Sequence, residues 1–319
     1  RTADGTEYVP VVDSVRLEES GSVRASILVE GGFAHRGRRN PLLFKSRLVF
    51  FTGSTCVTLE FQIRNPQAAH HPGGLWDLGD GGSCSFTDLS IRLYPRDQAR
   101  EVEWYAEVPT SAQRIGNPNF SLYQDSSGGA NWDSPNHVDF ANKLMVSLPG
   151  YQVRAGPPGE SKLIGEGRRA TPCLRISTEA GWMAATTKDF WQNFPKALRL
   201  EDGALSIGLF PAECAAGFEL QGGEQKRHTV FFDFGLHGRE PVIPLMQEPL
   251  AVSLDPVWIE QCAVISCFAA AGKDSDQSYS KYIDSIIEGP NSFFSKREVV
   301  DEYGWRNFGD LYADHEAVH

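Results

Sequence analysis

The sequence predicts a mainly β protein: a large antiparallel β-sandwich followed by a short α-helical segment. Three observations predict it. Apolar and polar residues alternate with period two, in segment after segment, from about residue 15 to 235. Thirty-one glycines and nineteen prolines in 319 residues imply many turns, and therefore many short strands. After Pro244 the alternation gives way to helical spacing. No strand–helix alternation of the kind that builds a parallel sheet is present.

Taken in order, residues 23–30 alternate and then break at Gly31-Gly32. Residues 46–51 stop at Gly53, and 56–63 resume with clean alternation. Segments 86–94, 101–108, 143–153, 173–178, 205–210 and 228–234 continue the series. Two long polar, glycine-rich connections, 68–83 and 117–137, interrupt it; ordered loops of this length usually have a function. The apolar run 262–271 ends at Gly272 and is expected to be a helix. Residues 278–288 put Tyr279, Tyr282, Ile283, Ile286 and Ile287 on one helical face, and 297–318 also holds helix-forming stretches. The expected domains are 1–245, a β-sandwich, and 250–319, helices. The opening Arg1 and the closing helical pattern are expected of a fragment.

Composition removes several function classes. Hydrophobic residues at 41% and charged residues at 22% exclude wholesale disorder and collagen-like repeats. The longest apolar run is half a membrane span. A net charge of −11 repels phosphate backbones, so no nucleic acid and no membrane is expected as partner. One basic cluster, His35-Arg36-Gly37-Arg38-Arg39, is either a local site for an acidic polysaccharide or a solvated loop. The six cysteines, 56, 84, 173, 214, 262 and 267, have no zinc-site spacing. Cys262 and Cys267 read as buried free thiols, while Cys56 and Cys84 could pair across strands. No signal peptide is visible in this chain.

Three stretches could carry chemistry. The first, 70–80, holds His70, His71, Trp76, Asp77 and Asp80 among glycines that let the backbone take positive φ. An aromatic face, carboxylates and a titratable imidazole are what a sugar site needs; Trp76 as a core plug with the acids capping turns is the competing reading. The second, 304–316, places Trp305, Phe308, Tyr312 and Glu316 on one helical stripe. Arg306 offers a fork for a carboxylate, Tyr312 and His315 can move protons, and Asp310 and Asp314 with His315 could hold a cation. An amphipathic helix with solvated acids accounts for the same residues. The third, 187–196 with Lys196, mixes aromatics and amides and reads more readily as packing, as does 119–124. No serine-hydrolase elbow, phosphate loop or zincin motif occurs.

Residues 75–80, 190–196, 222–226 and 305–310 resemble, in this order, segments of the exo-rhamnogalacturonan-lyase-like family. The resemblance implies a supersandwich-like β domain, whose residues 1–35 could be the tail of a preceding barrel-like β domain, followed by an α/α toroid that begins near 250, most of the toroid and of that first domain being absent. It also implies β-elimination on a uronic-acid-containing, pectic polysaccharide, and an extracellular or periplasmic location. In that chemistry a positive group or cation neutralises the C6 carboxylate, a base takes the C5 proton and an acid protonates the leaving oxygen. By residue chemistry alone, Arg306 would meet the carboxylate, Tyr312 or His315 would move the proton, and His70, His71, Trp76, Asp77, Asp80 and Lys196 would contact the sugar. No cofactor is called for except a divalent cation such as calcium, and the expected partner is an acidic polysaccharide or oligosaccharide. Two other classes compete. One is a non-catalytic carbohydrate-binding module. The other is a glycoside hydrolase using two of Asp77, Asp80, Asp310 and Glu316.

Overall fold

A computed structural model describes residues 1–71, 78–107, 111–116, 119–139, 141–157, 159–242, 251–270, 273 and 276–309. Its strands form two large antiparallel sheets. The first has nine strands, in spatial order β1 (Val9–Ser20), β2 (Arg24–His35), β3 (Arg38–Phe51), β4 (Cys56–Arg64), β17 (Gln225–Gly235), β13 (Trp182–Thr187), β12 (Cys173–Ser177), β7 (Glu101–Tyr105) and β8 (Gln113–Ile115). The second has six: β11 (Lys162–Gly167), β10 (Tyr151–Ala155), β9 (Phe120–Gln124), β14 (Lys196–Glu201), β15 (Ala204–Phe210) and β6 (Leu89–Leu93). A two-stranded ribbon, β5 (Cys84–Phe86) with β16 (Phe218–Leu220), closes one end.

Alternation explains why these sheets stack. Leu59, Phe61 and Ile63 of β4, Val230 and Phe232 of β17 and Leu174 and Ile176 of β12 are buried in one core with Phe120 and Leu122 of β9, Leu198 and Leu200 of β14 and Leu205 and Ile207 of β15. Inward side chains from two pleated faces interdigitate, which is the sandwich geometry the alternation implies. Residues 1–35 supply the edge of the nine-stranded sheet, where β2 pairs with β1 on one side and β3 on the other. The basic cluster is the β2–β3 hairpin turn, with Arg36 and Gly37 at φ 46° and 80°, and Arg39 makes a double hydrogen bond to Asp13 at 2.9 and 2.6 Å. It is an exposed, internally paired turn.

Several elements differ from expectation. Segment 86–94 is two strands, because the Thr87 amide leaves the ladder to bond the Arg1 carbonyl. Of segment 143–153 only 151–153 is strand, the start of β10; Gly150 at φ 106° turns the chain into it. Residues 120–124, inside the expected long loop, form a central strand whose alternate side chains are buried.

The helices are α1 (Pro256–Cys262), α2 (Gln277–Ile287), α3 (Phe293–Val300) and α4 (Gly304–Asn307). The carboxylates of Asp255 and Asp276 and the hydroxyl of Ser292 cap the first three by accepting backbone amides. The expected helix over 262–271 is corrected: α1 ends at Cys262, where Ala263 turns left-handed. An apolar run with no face to pack on gains nothing from helical geometry. Cys262 and Cys267 are accordingly exposed, not buried, and all six cysteines are free thiols. Within the stretch 297–318, residues 297–300 close α3 and 304–307 form α4, with 301–303 between them outside either helix. No helix among the described residues is long and apolar enough to cross a membrane.

The long loop 125–150 has a structural job. The last turn of α3 leaves carbonyls that no intrahelical amide can reach. Asn131 donates to the Val299 carbonyl at 2.8 Å, and Ser134 and Asn136 donate to Val300 at 3.0 and 2.9 Å. Asp301, left-handed at φ 55°, then accepts from the Ser127 hydroxyl and from His137 Nε2 at 2.7 Å. All three residues are buried. The aspartate lies between serine and histidine, so this is an anchor and not a nucleophile relay.

Candidate functional site

At the end of the sandwich three segments converge on the turn 221–224. In β16, Phe218 and Leu220 are buried and Glu219 between them points the other way. The turn Gln221-Gly222-Gly223-Glu224 follows, with Gly223 at φ 83°. A Cβ on Gly222 would stand 2.4 Å from the backbone of Ala68 and Ala69, so only glycine admits this close approach of the 66–83 loop. Asn65, fully buried at the end of β4, donates to the carbonyls of Gly82 at 2.8 Å and Leu220 at 2.9 Å, tying loop to turn.

The loop brings Asp80 and His71 to this place. Glu219 accepts from the Gly79 amide at 2.8 Å and the Ser83 hydroxyl at 2.6 Å. Asp80 accepts from the amides of His70 at 2.7 Å and Gly82 at 2.7 Å, and its carboxylate lies 3.8 Å from His71 Nδ1. Burial pushes the Asp80 carboxyl up, but the two amides and the neighbouring imidazoles outweigh it and hold it below the ordinary value.

Helix α4 brings Arg306. Gly304 and Trp305 dock their amides on the carbonyls of Gln192 and Phe194, each at 2.8 Å. Trp305 plugs the core against Phe210 and Phe218. Arg306 lies 4.4 Å over the Trp305 ring and donates to Glu224 at 2.9 Å and to the Glu219 carbonyl at 2.7 Å. Burial raises the Glu224 carboxyl above its ordinary value, opposed by Arg306 and the Gln221 amide. The side chains of Arg306 and Glu224 keep 24% and 26% exposure, so a donor fork and a carboxylate stand side by side at the surface.

Arg306, His71, Asp80 and the backbone of His70 therefore gather around one turn, together with Glu219, Glu224 and Asn65, which the sequence had not marked. Glu224 lies in a segment that carried the resemblance, and its position after Gly222-Gly223 was the available signal. Trp76, Asp77, Asp310, Tyr312, Asp314, His315 and Glu316 lie outside the described residues. Lys196 is a correction. It is fully buried, and its amine donates to the carbonyls of Asn193 at 2.7 Å, Pro195 at 3.2 Å and Leu209 at 2.8 Å. Its side chain faces the interior because it continues the inward register of Leu198 and Leu200, so it reaches no ligand at the surface. Among the described residues no group of three or more histidine, cysteine or acidic side chains could hold a metal ion.

No protein-family model matches the chain, and no curated protein matches it. Among solved structures it is similar to the GH36 α-galactosidase AgaA of Geobacillus stearothermophilus in complex with stachyose, at 9% identity over 73% of this chain and 29% of that one, TM-score 0.40. A TPR-domain containing protein from Parabacteroides distasonis matches at 9% identity over 92% and 50%, TM-score 0.37. A galactose 1-epimerase from Lactobacillus acidophilus matches at 12% over 70% and 66%, TM-score 0.32. The chain spans less than a third of the length of that galactosidase.

Proposed function

We propose that this chain is the β-sandwich part of a carbohydrate-binding protein, with the sugar held at the 219–224 turn. The observation that carries it is the partly exposed pair Arg306 and Glu224, flanked by Glu219 and by His71 on Asp80. Adjacent donors and acceptors, fixed by buried hydrogen bonds, are what orient a polyol. An arginine fork also suits the carboxylate of a uronic acid. Calorimetric titration with galacturonate oligomers should show saturable binding, weakened about tenfold or more by Arg306→Met and less by Glu224→Gln. Binding that is absent, or unchanged in a correctly folded Arg306→Met, rejects this site.

A second proposal, the lyase chemistry of the exo-rhamnogalacturonan-lyase-like family, is favoured by one feature. Burial raises the Glu224 carboxyl beside Arg306, and a carboxylate of raised pKa next to a cation is suited to accept the C5 proton of a neutralised uronate. Arg306 would hold the uronate carboxylate, and Tyr312 or His315 would serve the leaving oxygen. The helices after β17 would then open an α/α toroid. Pectic substrate should yield ultraviolet-absorbing unsaturated uronate, and Glu224→Gln should abolish it while binding persists. Reducing sugar without that absorbance would instead mark hydrolysis; retained binding with neither product leaves a binding module.

A further inference from the structure

Two cavities lie on either side of one strand and share lining residues at its edge. β6 ends the six-stranded sheet, so its alternate side chains serve two spaces. Leu89 and Ile91 face a cavity of about 550 Å³ between the sheets, walled by Phe33, Phe44, Phe61 and Phe86 and flanked by Tyr8 and Tyr94. Arg92 and Asp88 line that cavity and also a groove of about 560 Å³ on the outer face of the sheet.

The outer groove is polar and ordered by register. Arg92 pairs with Ser206, Ser206 with Arg199, Arg199 with Ser121 and Ser121 with Arg154. This makes an arginine–serine row in register across five strands, spanning roughly 19 Å at ~4.8 Å per strand; Ser206 within it is buried, and Arg92, Arg199, Ser121 and Arg154 line the groove. Arg199 at its centre is buried and locked to Glu213 and Ser90. The two end arginines are exposed and weakly held: Arg92 lies 3.7 Å from Glu7, and Arg154 donates to Gln152 at 3.3 Å. Glu201, Asp202 and Glu213 line the same groove, so it offers both acceptors and donors to sugar hydroxyls.

We infer that these joined cavities bind an amphiphilic glycoside, with its sugar along the arginine–serine row and a compact apolar substituent among the phenylalanines. The inner cavity falls within the volume of small-molecule sites and is lined by aromatic rings with few polar groups; the outer one offers the opposite chemistry, and Arg92 stands at the junction. A carboxylate on the sugar suits the end arginines. The inference does not depend on the 219–224 turn being a sugar site, and the two are tested by different residues.

Calorimetry with p-nitrophenyl β-glucuronide and with glucuronate alone tests it. The nitrophenyl compound should bind at least about tenfold more tightly, with the negative heat-capacity change of apolar burial. Ile91→Trp, which fills the inner cavity, should remove that advantage. Arg92→Ser, at an exposed position, should weaken both ligands, whereas Arg100→Ser, an exposed arginine that lines neither cavity, should leave both unchanged. Tyr94→Ser, also at an exposed position, should reduce only the nitrophenyl preference, and guards against a misfolded Ile91→Trp. Equal affinities, a preference that survives both Ile91→Trp and Tyr94→Ser, no binding at all, or binding only to an alkyl glucuronide displayed on vesicles would each overturn the inference.

Discussion

Replacing Lys196 with methionine is expected to cost about 2–3 kcal/mol of folding stability, although methionine fills nearly the same space. The amine donates to three backbone carbonyls around the 193–196 bend and β15, and it lies 5.6 Å from the Phe210 ring. Methionine leaves those carbonyls without this donor, where water cannot replace it. Burial pulls the Lys196 ammonium well below its ordinary range, with the nearby Lys226 adding to the shift, so part of the loss is offset by a desolvated charge no longer being carried. Urea denaturation at neutral pH measures the balance; an unchanged midpoint would show that the amine is only a burden.

His228 provides the pH dependence of the same region. It is fully buried beside Phe210, and burial, then the charges of Lys196 and Lys226, push its pKa well below 6.5. A base with a depressed folded pKa contributes stability above its unfolded value, lost as pH falls toward the folded one. The urea midpoint of the wild type should therefore decline as pH drops below 6.5, and His228→Phe should flatten that decline. Equal slopes in the two proteins would assign acid sensitivity elsewhere.

The second large effect is expected at Asp301. Asp301→Ala should cost about 3 kcal/mol, because it strands two buried partners, the Ser127 hydroxyl and His137 Nε2, and puts a less tolerant residue in a left-handed conformation. Asp301→Asn keeps the conformational tolerance and one acceptor oxygen, so it should lose roughly half as much. Hydrogen exchange adds a local test. Amides of α3 and α4 should lose protection in Asp301→Ala at denaturant levels where β12 and β15 remain protected. Uniform loss would mean that the anchor holds the whole sandwich rather than its helical appendage. Since α4 carries Arg306, the same variant should weaken binding at the turn without touching it.

The strands were legible where one face met the core and the other met solvent, as in β4, whose alternate residues Leu59, Phe61 and Ile63 are buried. Strand β15 was legible only as an apolar segment; all seven of its residues are buried because the segment after it covers the outer face. The helix over 262–271 failed for the converse reason: composition favoured it, but no partner surface stabilises it among the described residues. Of the site, Arg306, His71 and Asp80 were visible as reactive types in suggestive company. Lys196 looked the same and is buried, because sequence gives a side chain's chemistry but not which side of the sheet it occupies.

The amino-acid sequence by itself determined the β class, the antiparallel pairing and the change from strands to helices toward the end of the chain. Those follow from local periodicity and turn chemistry, which each short window carries independently. Only the tertiary structure decided that a loop at 65–83, a turn at 219–224 and a helix at 304–307 share one place, and that Arg92, Ser206, Arg199, Ser121 and Arg154 form one row. Those are contacts between residues dozens to hundreds of positions apart, set by strand order and register, and strand order is fixed by how two whole sheets bury their faces rather than by any segment alone.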